Sequence, residues 1–307
     1  MSTIRQCLED YLAARRALGF KLQRQECMLR SFVRFLESEG ATTITTELAV
    51  AWATDTKESA NWRADRLGAA RQFARYLQVI DPKTEVPPAV LLPRASHRAT
   101  PHIYTDAEVA ALLQATRALH TISRATYATL IGLLFVTGMR PGEAIRLDRT
   151  DVDWDHSLLT VRDTKFGKVR EVALHATTIA ALASYSRQRD ALIPRPSSPT
   201  FFVSQAGKRL IPDAVDQTYR RLVRRAALDN TSSRRPRLHD FRHTFAVRTV
   251  LDWYRAGLDV SPRLPLLSTY LGHVDPASTY WYLSGTPELL SLAAQRLQRT
   301  LEGGESS

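Results

Sequence analysis

Apolar residues in the first 80 positions recur every three or four residues, which is the spacing of one face of an α-helix. Four of them set this period at the N-terminus: Ile4, Leu8, Tyr11 and Leu12. They predict a helix over residues 3–20 that ends near Gly19. The same spacing predicts three more helices, over residues 24–39, 45–53 and 59–77. Residues 1–80 are therefore predicted to form a small all-helical domain.

Prolines interrupt the helical spacing after residue 80. Five of them are interleaved with Lys83, Arg94 and Arg98: Pro82, Pro87, Pro88, Pro93 and Pro101. Proline lacks a backbone N–H and restricts the residue before it, so helix is excluded through most of this stretch. We therefore predict an extended basic linker over residues 81–103, long enough to pass around a cylindrical partner.

The pattern beyond the linker mixes two periods. Thr105 and Glu108 have the spacing of a capping box, which predicts the start of a helix and of a second domain. Helical spacing then recurs over residues 121–147, as two helices, and over 176–190, 212–227 and 236–247. Strand-like alternation appears over residues 158–162, 169–174 and 201–204, with a hairpin turn at 164–168.

These elements predict a chain that is mainly α with a small antiparallel β-sheet. The helical domain precedes an α+β domain over residues 104–285, and a C-terminal helix and tail occupy residues 286–307. A length of 307 residues agrees with two domains.

The charge balance narrows the choice of partner. A formal net charge of +11 indicates an anionic partner, and nucleic acid is the first candidate because phosphate neutralisation drives its binding. The alternative is a merely basic protein. Cys7 and Cys27 form no CxxC pattern and are expected to pack as small hydrophobes in a reduced protein. With no secretory signal and no apolar run near ~18 residues, we expect a cytoplasmic protein without membrane contact.

Arginine is concentrated in two segments. Residues 59–77 contain four, with only Asp65 as an acidic residue: Arg63, Arg66, Arg71 and Arg75. Residues 220–237 contain seven, with only Asp229 acidic: Arg220, Arg221, Arg224, Arg225, Arg234, Arg235 and Arg237. We interpret both groups as contacts to a phosphate backbone. A solvated surface is the alternative for the first group.

Three segments carry candidate chemistry. His239 and Arg242 lie three residues apart at the start of a predicted helix, so they project from one face. His239 can donate or accept a proton, and Arg242 supplies a planar cation, so the pair suits a phosphate. A core histidine beside a surface arginine is the alternative.

The second segment holds Arg140 before Pro141 at a helix start, with Glu143 one turn further on. Glu143 is placed to orient Arg140 or to handle a proton, although the segment alone also fits a structural turn. A lysine at the hairpin tip, Lys165 or Lys168, can reach over a ligand. The third segment places His273 at a turn, followed by Tyr280 and Tyr282, either of which is a nucleophile or a core aromatic.

Together these segments resemble the tyrosine recombinases, the phage integrase or Xer-like family that includes a branch carried by mobile elements. The resemblance spans roughly residues 3–295 and is specific in the second domain. The family's first arginine box resembles Thr137–Glu143, its His-x-x-Arg box residues 238–243, and its Leu-Gly-His box residues 271–273. Its hairpin lysine falls on Lys165, with Lys168 as second choice. Its nucleophile follows the last histidine by nine residues, which is Tyr282, with Tyr280 as the competitor.

The resemblance implies a fold and a chemistry. The first domain would be the family's helical core-binding (SAM-like) domain, and the second its catalytic domain. Tyr282 would attack a phosphate to form a 3′-phosphotyrosyl link, with Arg140 and Arg242 on the non-bridging oxygens. His239 would take the phenolic proton, Lys165 would protonate the leaving 5′-oxygen, and His273 would hydrogen-bond the phosphate. Glu143 would orient Arg140 or His239, and His243 would be structural. The resemblance implies no cofactor, metal ion or ATP.

The implied partner is double-stranded DNA at specific sites, bound by a homo-tetramer or a hetero-oligomer with related recombinases. The helix over residues 287–301 would dock on a neighbouring protomer. The expected role is integration or transposition of a mobile element. The alternatives are a recombinase that resolves replicon dimers, a catalytically silent DNA-binding or architectural subunit, and a type IB topoisomerase.

Overall fold

The computed structural model describes residues 3–94, 100–162, 169–194, 197–229 and 235–272. The chain divides into two compact units, Met1–Arg98 and Ala99–Ser307. None of the described helices combines the length and the hydropathy needed to cross a membrane.

The first unit is a group of four helices, as the apolar spacing predicts. They are α1 (Ile4–Ala17), α2 (Gln23–Ser38), α3 (Thr46–Thr54) and α4 (Ala60–Gln78). Hydroxyl side chains of Thr3, Thr45 and Ser59 cap α1, α3 and α4, each satisfying a free N–H in the first turn. Their core is built from the predicted apolar face, with Leu12, Phe32, Leu36 and Phe73 fully buried.

Two details of this unit differ from the sequence prediction. Cys7 is buried, but Cys27 is exposed on α2, so the expectation that both cysteines pack as core residues is wrong for Cys27. The predicted linker also contributes packing. Thr84 is buried, and Val86 and Leu92 lie against the core of the first unit.

The second unit combines seven α-helices with one small sheet in its described part. The helices are α5 (Asp106–Ala115), α6 (Thr121–Thr137), α7 (Pro141–Arg146), α8 (Ala176–Leu192), α9 (Pro212–Arg225), α10 (Asp240–Arg255) and α11 (Leu264–Leu271). The predicted capping box is present at Thr105 and Glu108. The apolar residues of α6, among them Leu130, Ile131 and Leu134, are buried at the centre of the unit.

The sheet has three antiparallel strands in the order β1 (Val152–Asp153), β2 (Leu158–Val161) and β3 (Arg170–Ala173). Leu159 is opposite Val172, and both are buried. The fold class, mainly α with a small antiparallel sheet, is confirmed.

Three elements of the second unit were not predicted correctly. The expected strand over 201–204 is absent, because its residues form only the isolated bridge Val203 to Arg209, and the preceding Thr200 forms another with Asp148. The sequence analysis also missed β1, whose two residues are too few to show alternation, and α11, which opens with a proline.

Candidate active site

The site is built around the arginine that begins α7. Helix α6 ends at Gly138, which has a left-handed backbone with φ +62°. Arg140 follows as the N-cap of α7, with Pro141 in the first helical position, as predicted. A Cβ atom on Gly138 would lie 2.6 Å from Cδ1 of Phe245, so both the backbone and the packing require glycine here.

Glu143 fixes Arg140 in two places. Its Oε2 accepts a hydrogen bond from the backbone N of Arg140 at 3.0 Å, and its Oε1 accepts one from Nη1 of Arg140 at 2.8 Å. Glu143 is only 3% exposed, so its charge must be matched inside the protein. The second match is Arg170, whose Nη1 and Nη2 donate to Oε1 and Oε2 at 3.0 and 2.7 Å.

The protonation state of Glu143 follows from these contacts. Burial alone raises its pKa, but the hydrogen bonds and charge of Arg170, followed by those of Arg140, outweigh burial and bring the pKa down to about 2. Glu143 is therefore ionised at neutral pH. This favours the predicted role of orienting Arg140 over the alternative of handling a proton.

Arg242 is the second arginine of the site, and it is only 1% exposed. Its Nη1 donates to the carbonyl of Gly138 at 3.1 Å, and its Nη2 donates to the carbonyl of Leu271 at 2.6 Å. Arg242 thus joins the C-terminal ends of α6 and α11, where the helix dipole favours a cation.

Arg140 also reaches the end of α11. Its Nη2 donates to the carbonyl of Gly272 at 3.0 Å. Gly272 directly follows Leu271, whose carbonyl Arg242 binds. Gly272 has φ +67° and caps α11. The two arginines, 102 positions apart in the sequence, therefore converge on two consecutive carbonyl groups.

His239 lies beside the arginines as the N-cap of α10. Desolvation, then the positive charges of Arg242, Arg237 and Arg140, lower its pKa to about 4. His239 is an exposed residue, and the lowered pKa favours a neutral imidazole. The rings of His243 and His239 pack edge to face, with 5.1 Å between their centroids.

A buried tyrosine pair supports the start of α10. Tyr104 stacks on Phe241 at 4.3 Å, and its hydroxyl lies 2.6 Å from that of Tyr219. The Tyr104 hydroxyl also donates to the carbonyl of Arg237 at 3.1 Å. The carboxylate of Asp240, itself buried, accepts from the backbone N of Arg237 at 2.8 Å. These contacts hold the turn that presents His239.

Four of the predicted catalytic residues are therefore brought together: Arg140, Glu143, His239 and Arg242. The other three, Lys165, His273 and Tyr282, lie outside the described residues. The alternatives Lys168 and Tyr280 and the DNA-binding candidate Arg234 also lie outside them. In the ranges that the structure describes, no three histidine, cysteine or acidic side chains are grouped as metal ligands.

The sequence analysis missed Arg170, although the strand pattern contained a signal. Val172 and Leu174 are buried, and Arg170 has the same parity on the strand. A charged residue at an inward-facing position of a strand needs a buried partner of opposite charge. Glu143 is that partner.

The arginines predicted to bind DNA have varied surroundings. In the first unit, Arg63 donates to the carbonyl of Thr56, while Arg66 stacks over Trp52 at 4.1 Å. Arg71 is half-buried and Arg75 is exposed. In the second unit, six are exposed: Arg220, Arg221, Arg224, Arg225, Arg235 and Arg237.

Two arginines of residues 220–237 have acidic partners just outside that segment. Arg220 forms an ion pair with Asp216 at 2.6 Å, one helical turn earlier. The exposed Arg237 lies 3.5 Å from Asp240. The shortage of acidic residues within 220–237 therefore does not exclude local ion pairs for Arg220 and Arg237.

Comparisons with known proteins show which family the chain belongs to. The model of the phage integrase family matches residues 103–288. The chain is 46% identical to "Putative integrase/recombinase y4rB" of Sinorhizobium fredii, over 98% of this chain and 99% of that protein. It is 29% identical to the tyrosine recombinase XerD of Caulobacter vibrioides, over 76% of this chain and 73% of that one.

A solved structure supports the fold. The Tn1549 transposon integrase in complex with transposon right end DNA matches with a TM-score of 0.66, over 97% of this chain and 99% of that one. Since the identity is 16%, this likeness concerns the fold alone. The match of the family model and the near full-length relative show that the chain belongs to the phage integrase family, the tyrosine recombinases.

Proposed function

We propose that this protein is a site-specific DNA recombinase that cuts and rejoins strands through a 3′-phosphotyrosyl intermediate. The observation that carries the proposal is the convergence of Arg140 and Arg242 on the carbonyls of Gly272 and Leu271. In the sequence these residues directly precede His273, and Tyr282 follows nine residues later. The arginine pair therefore lies where the segment with the proposed nucleophile begins.

The proposed reaction begins at Tyr282. An unperturbed tyrosine has a pKa near ~10, so its phenol needs help to attack at neutral pH. Two fixed guanidinium groups favour the phenolate and stabilise the charge on the non-bridging oxygens of the transition state. Tyr282 then forms a bond to phosphorus, and the 5′-oxygen leaves with a proton from Lys165. Rejoining reverses these steps with another 5′-hydroxyl as the nucleophile.

His239 is the proposed acceptor of the phenolic proton. The protein alone holds the pKa of His239 low because of desolvation and the neighbouring arginines. A scissile phosphate is negatively charged, so its arrival raises the pKa of this imidazole. The ring is thus neutral and able to accept a proton when DNA binds.

The arginines supply the positive charge that divalent metal ions provide in many other phosphoryl-transfer enzymes. The phosphotyrosyl bond conserves the energy of the phosphodiester. We therefore propose that the reaction needs neither a metal ion nor ATP, and that His273 hydrogen-bonds the phosphate.

The proposed partner is double-stranded DNA, held by a tetramer of this chain or by a hetero-oligomer with related recombinases. A net charge of +11 and the exposed arginines of α9 support it. Integration or transposition of a mobile element is the proposed role, supported by the near full-length similarity to an integrase/recombinase and by the fold of the transposon integrase.

A trapping experiment tests the proposal. Full-length protein first selects duplexes from a random-sequence library, and the bound duplexes are then prepared with a nick at each successive position. A nick close to the cleavage site releases the short leaving strand and traps the covalent complex. In the presence of EDTA, we expect wild type and Tyr280→Phe to give a covalent protein–DNA band, and Tyr282→Phe to give none.

Each alternative result has a defined meaning. Loss of the band only in Tyr280→Phe would move the nucleophile by two residues. A band that requires magnesium would overturn metal independence. Tight binding without a band in wild type would overturn the proposed chemistry.

A further inference from the structure

Arg170 lies at the start of β3 and faces the interior of the second unit. Its side chain is 13% exposed. None of the three sequence boxes contains it. Both terminal nitrogens bind the carboxylate of Glu143 in a two-pronged contact, at 3.0 and 2.7 Å. Such a fork fixes the plane of a carboxylate as well as its position.

Glu143 is shared between two arginines. Each of its oxygens accepts one hydrogen bond from Arg170 and one from Arg140, so all four contacts hold a single carboxylate. Without Arg170, half of these donors to a buried charge are lost. The carboxylate and the guanidinium of Arg140 are then free to rearrange.

Charge balance gives Arg170 a second effect. Arg140 and Glu143 alone form a neutral pair. Arg170 adds one positive charge, so the group of three carries a net charge of +1. A phosphate that approaches Arg140 therefore meets a positive site and not a neutralised one.

Arg170 also packs on the residue that holds the other end of Arg140. A Cβ atom on Gly272 would lie 3.0 Å from Nη1 of Arg170 and 3.4 Å from its Cζ. The guanidinium therefore occupies the space that any other residue would fill. The carbonyl of Gly272 accepts Nη2 of Arg140 at 3.0 Å, so both anchors of Arg140 touch Arg170.

We propose that Arg170 is a positioning residue for strand cleavage: its fork on Glu143 and its contact with Gly272 hold the Arg140 guanidinium in the orientation that binds the scissile phosphate. This inference deepens the proposed function and rests on it. Arg170 acts through Arg140 and makes no contact with DNA in the proposal.

The test measures cleavage and binding separately. Single-turnover formation of the covalent complex is followed on the selected nicked duplexes at saturating protein, and the Kd for the same duplexes is measured without a nick. We expect Arg170→Gln to slow cleavage by about 10²-fold, because a small displacement of a catalytic group has that cost. The Kd should change less than threefold.

Three further variants separate position from charge. Arg170→Lys keeps the charge but lacks the fork, so we expect cleavage at least tenfold slower than wild type. The loss in Glu143→Gln/Arg170→Gln should be smaller than the sum of the two single losses, because Arg170 acts in large part through Glu143. A wild-type rate in Arg170→Lys, or additive losses in the double variant, would overturn the inference.

Arg162 provides the matched control. It directly follows β2 on the same hairpin and pairs with the buried Asp151 at 2.6 Å, but its side chain is 60% exposed and it has no contact with Glu143. Arg162→Gln should cleave at the wild-type rate. An equal loss in this variant would show that any broken ion pair on the hairpin slows cleavage.

A measurement without DNA distinguishes this inference from the proposed function. Removal of Arg170 takes away the largest contribution that lowers the pKa of Glu143. Stability conferred by Glu143 should then be lost at a higher pH during acid titration of Arg170→Gln or Arg170→Lys than of wild type. An unchanged acid profile in both would overturn the inference even if wild type forms no covalent complex. A shifted profile without a covalent complex would contradict only the proposed function.

Discussion

The arginines of the candidate site and the arginines of α4 and α9 have the same charge but different partners. Arg242 and Arg140 bind backbone carbonyls at helix ends and a buried carboxylate. Arg220 pairs with an acidic residue on its own helix, and Arg225 is exposed. A count of charges therefore identifies a basic surface. Whether a guanidinium is held rigidly enough to take part in catalysis depends on the groups that accept its hydrogen bonds.

The largest expected effect comes from removing Arg242. Arg242→Ala takes a donor from two buried carbonyls and a charge from the proposed transition state. We expect a stability loss of about 2 kcal/mol and cleavage slower by about 10³-fold. Denaturant unfolding and single-turnover trapping measure these quantities.

Arg225→Ala is the matched surface variant. Its stability should stay within about 0.5 kcal/mol of wild type, and its cleavage rate at saturating DNA should be unchanged. Similar losses in the two variants would break the comparison between fixed and surface arginines.

The next effect concerns the glycine whose carbonyl Arg242 binds. Gly138→Ala introduces a Cβ atom 2.6 Å from Phe245 at φ +62°. We expect a loss of about 3 kcal/mol, from backbone strain and overpacking together. Thermal or denaturant unfolding measures it.

Two glycines of the same unit separate the causes. Gly257 has φ +70° but open space where a Cβ atom would lie, so Gly257→Ala should cost only about 1 kcal/mol. Gly132 lies inside α6 and a Cβ atom there would meet no atom within 4 Å, so Gly132→Ala should stabilise by up to about 1 kcal/mol. Equal costs at Gly138 and Gly257 would show that the contact with Phe245 is unimportant.

A pH dependence of similar size should come from Glu143. Its pKa in the folded protein is about 2, below the ordinary 4.5, so the charged form is favoured by folding. The resulting stability, at most about 3 kcal/mol, is present above pH 4.5 and is lost as the pH falls toward 2. Glu143→Gln should therefore be less stable than wild type at pH 7, with a difference that shrinks on acidification. A difference that is constant with pH would contradict this.

The smallest expected effect on stability distinguishes two arginines of α4. Arg66 stacks over the buried Trp52, so Arg66→Ala should cost about 1 kcal/mol of stability. Arg75 is exposed, so Arg75→Ala should leave stability unchanged. If Arg75 contacts phosphate, the same variant lowers the salt dependence of DNA binding by about one unit of slope. Parallel unfolding and salt titrations decide between the two roles.

Some elements of the fold could be predicted from the sequence and others could not. Most helix boundaries were predicted within about two residues because helical spacing and capping are local, as at Thr105 and Glu108. The helix expected over 236–247 is an exception, since α10 spans Asp240–Arg255. The failed strand over 201–204 begins with three buried apolar residues and has no partner strand to pair with in the described part of the chain. A short apolar run does not distinguish a strand from a buried loop.

The sequence by itself determined most of the helices, the hairpin strands, the basic character and the order of the recombinase boxes, because each depends on residues close together in the chain. Only the tertiary structure decided that Arg242 joins the ends of α6 and α11, and that Arg170 shares Glu143 with Arg140. These contacts join residues 27 to 104 positions apart. A guanidinium can bind any exposed carbonyl or carboxylate, and the packing of the second unit selects which one it meets.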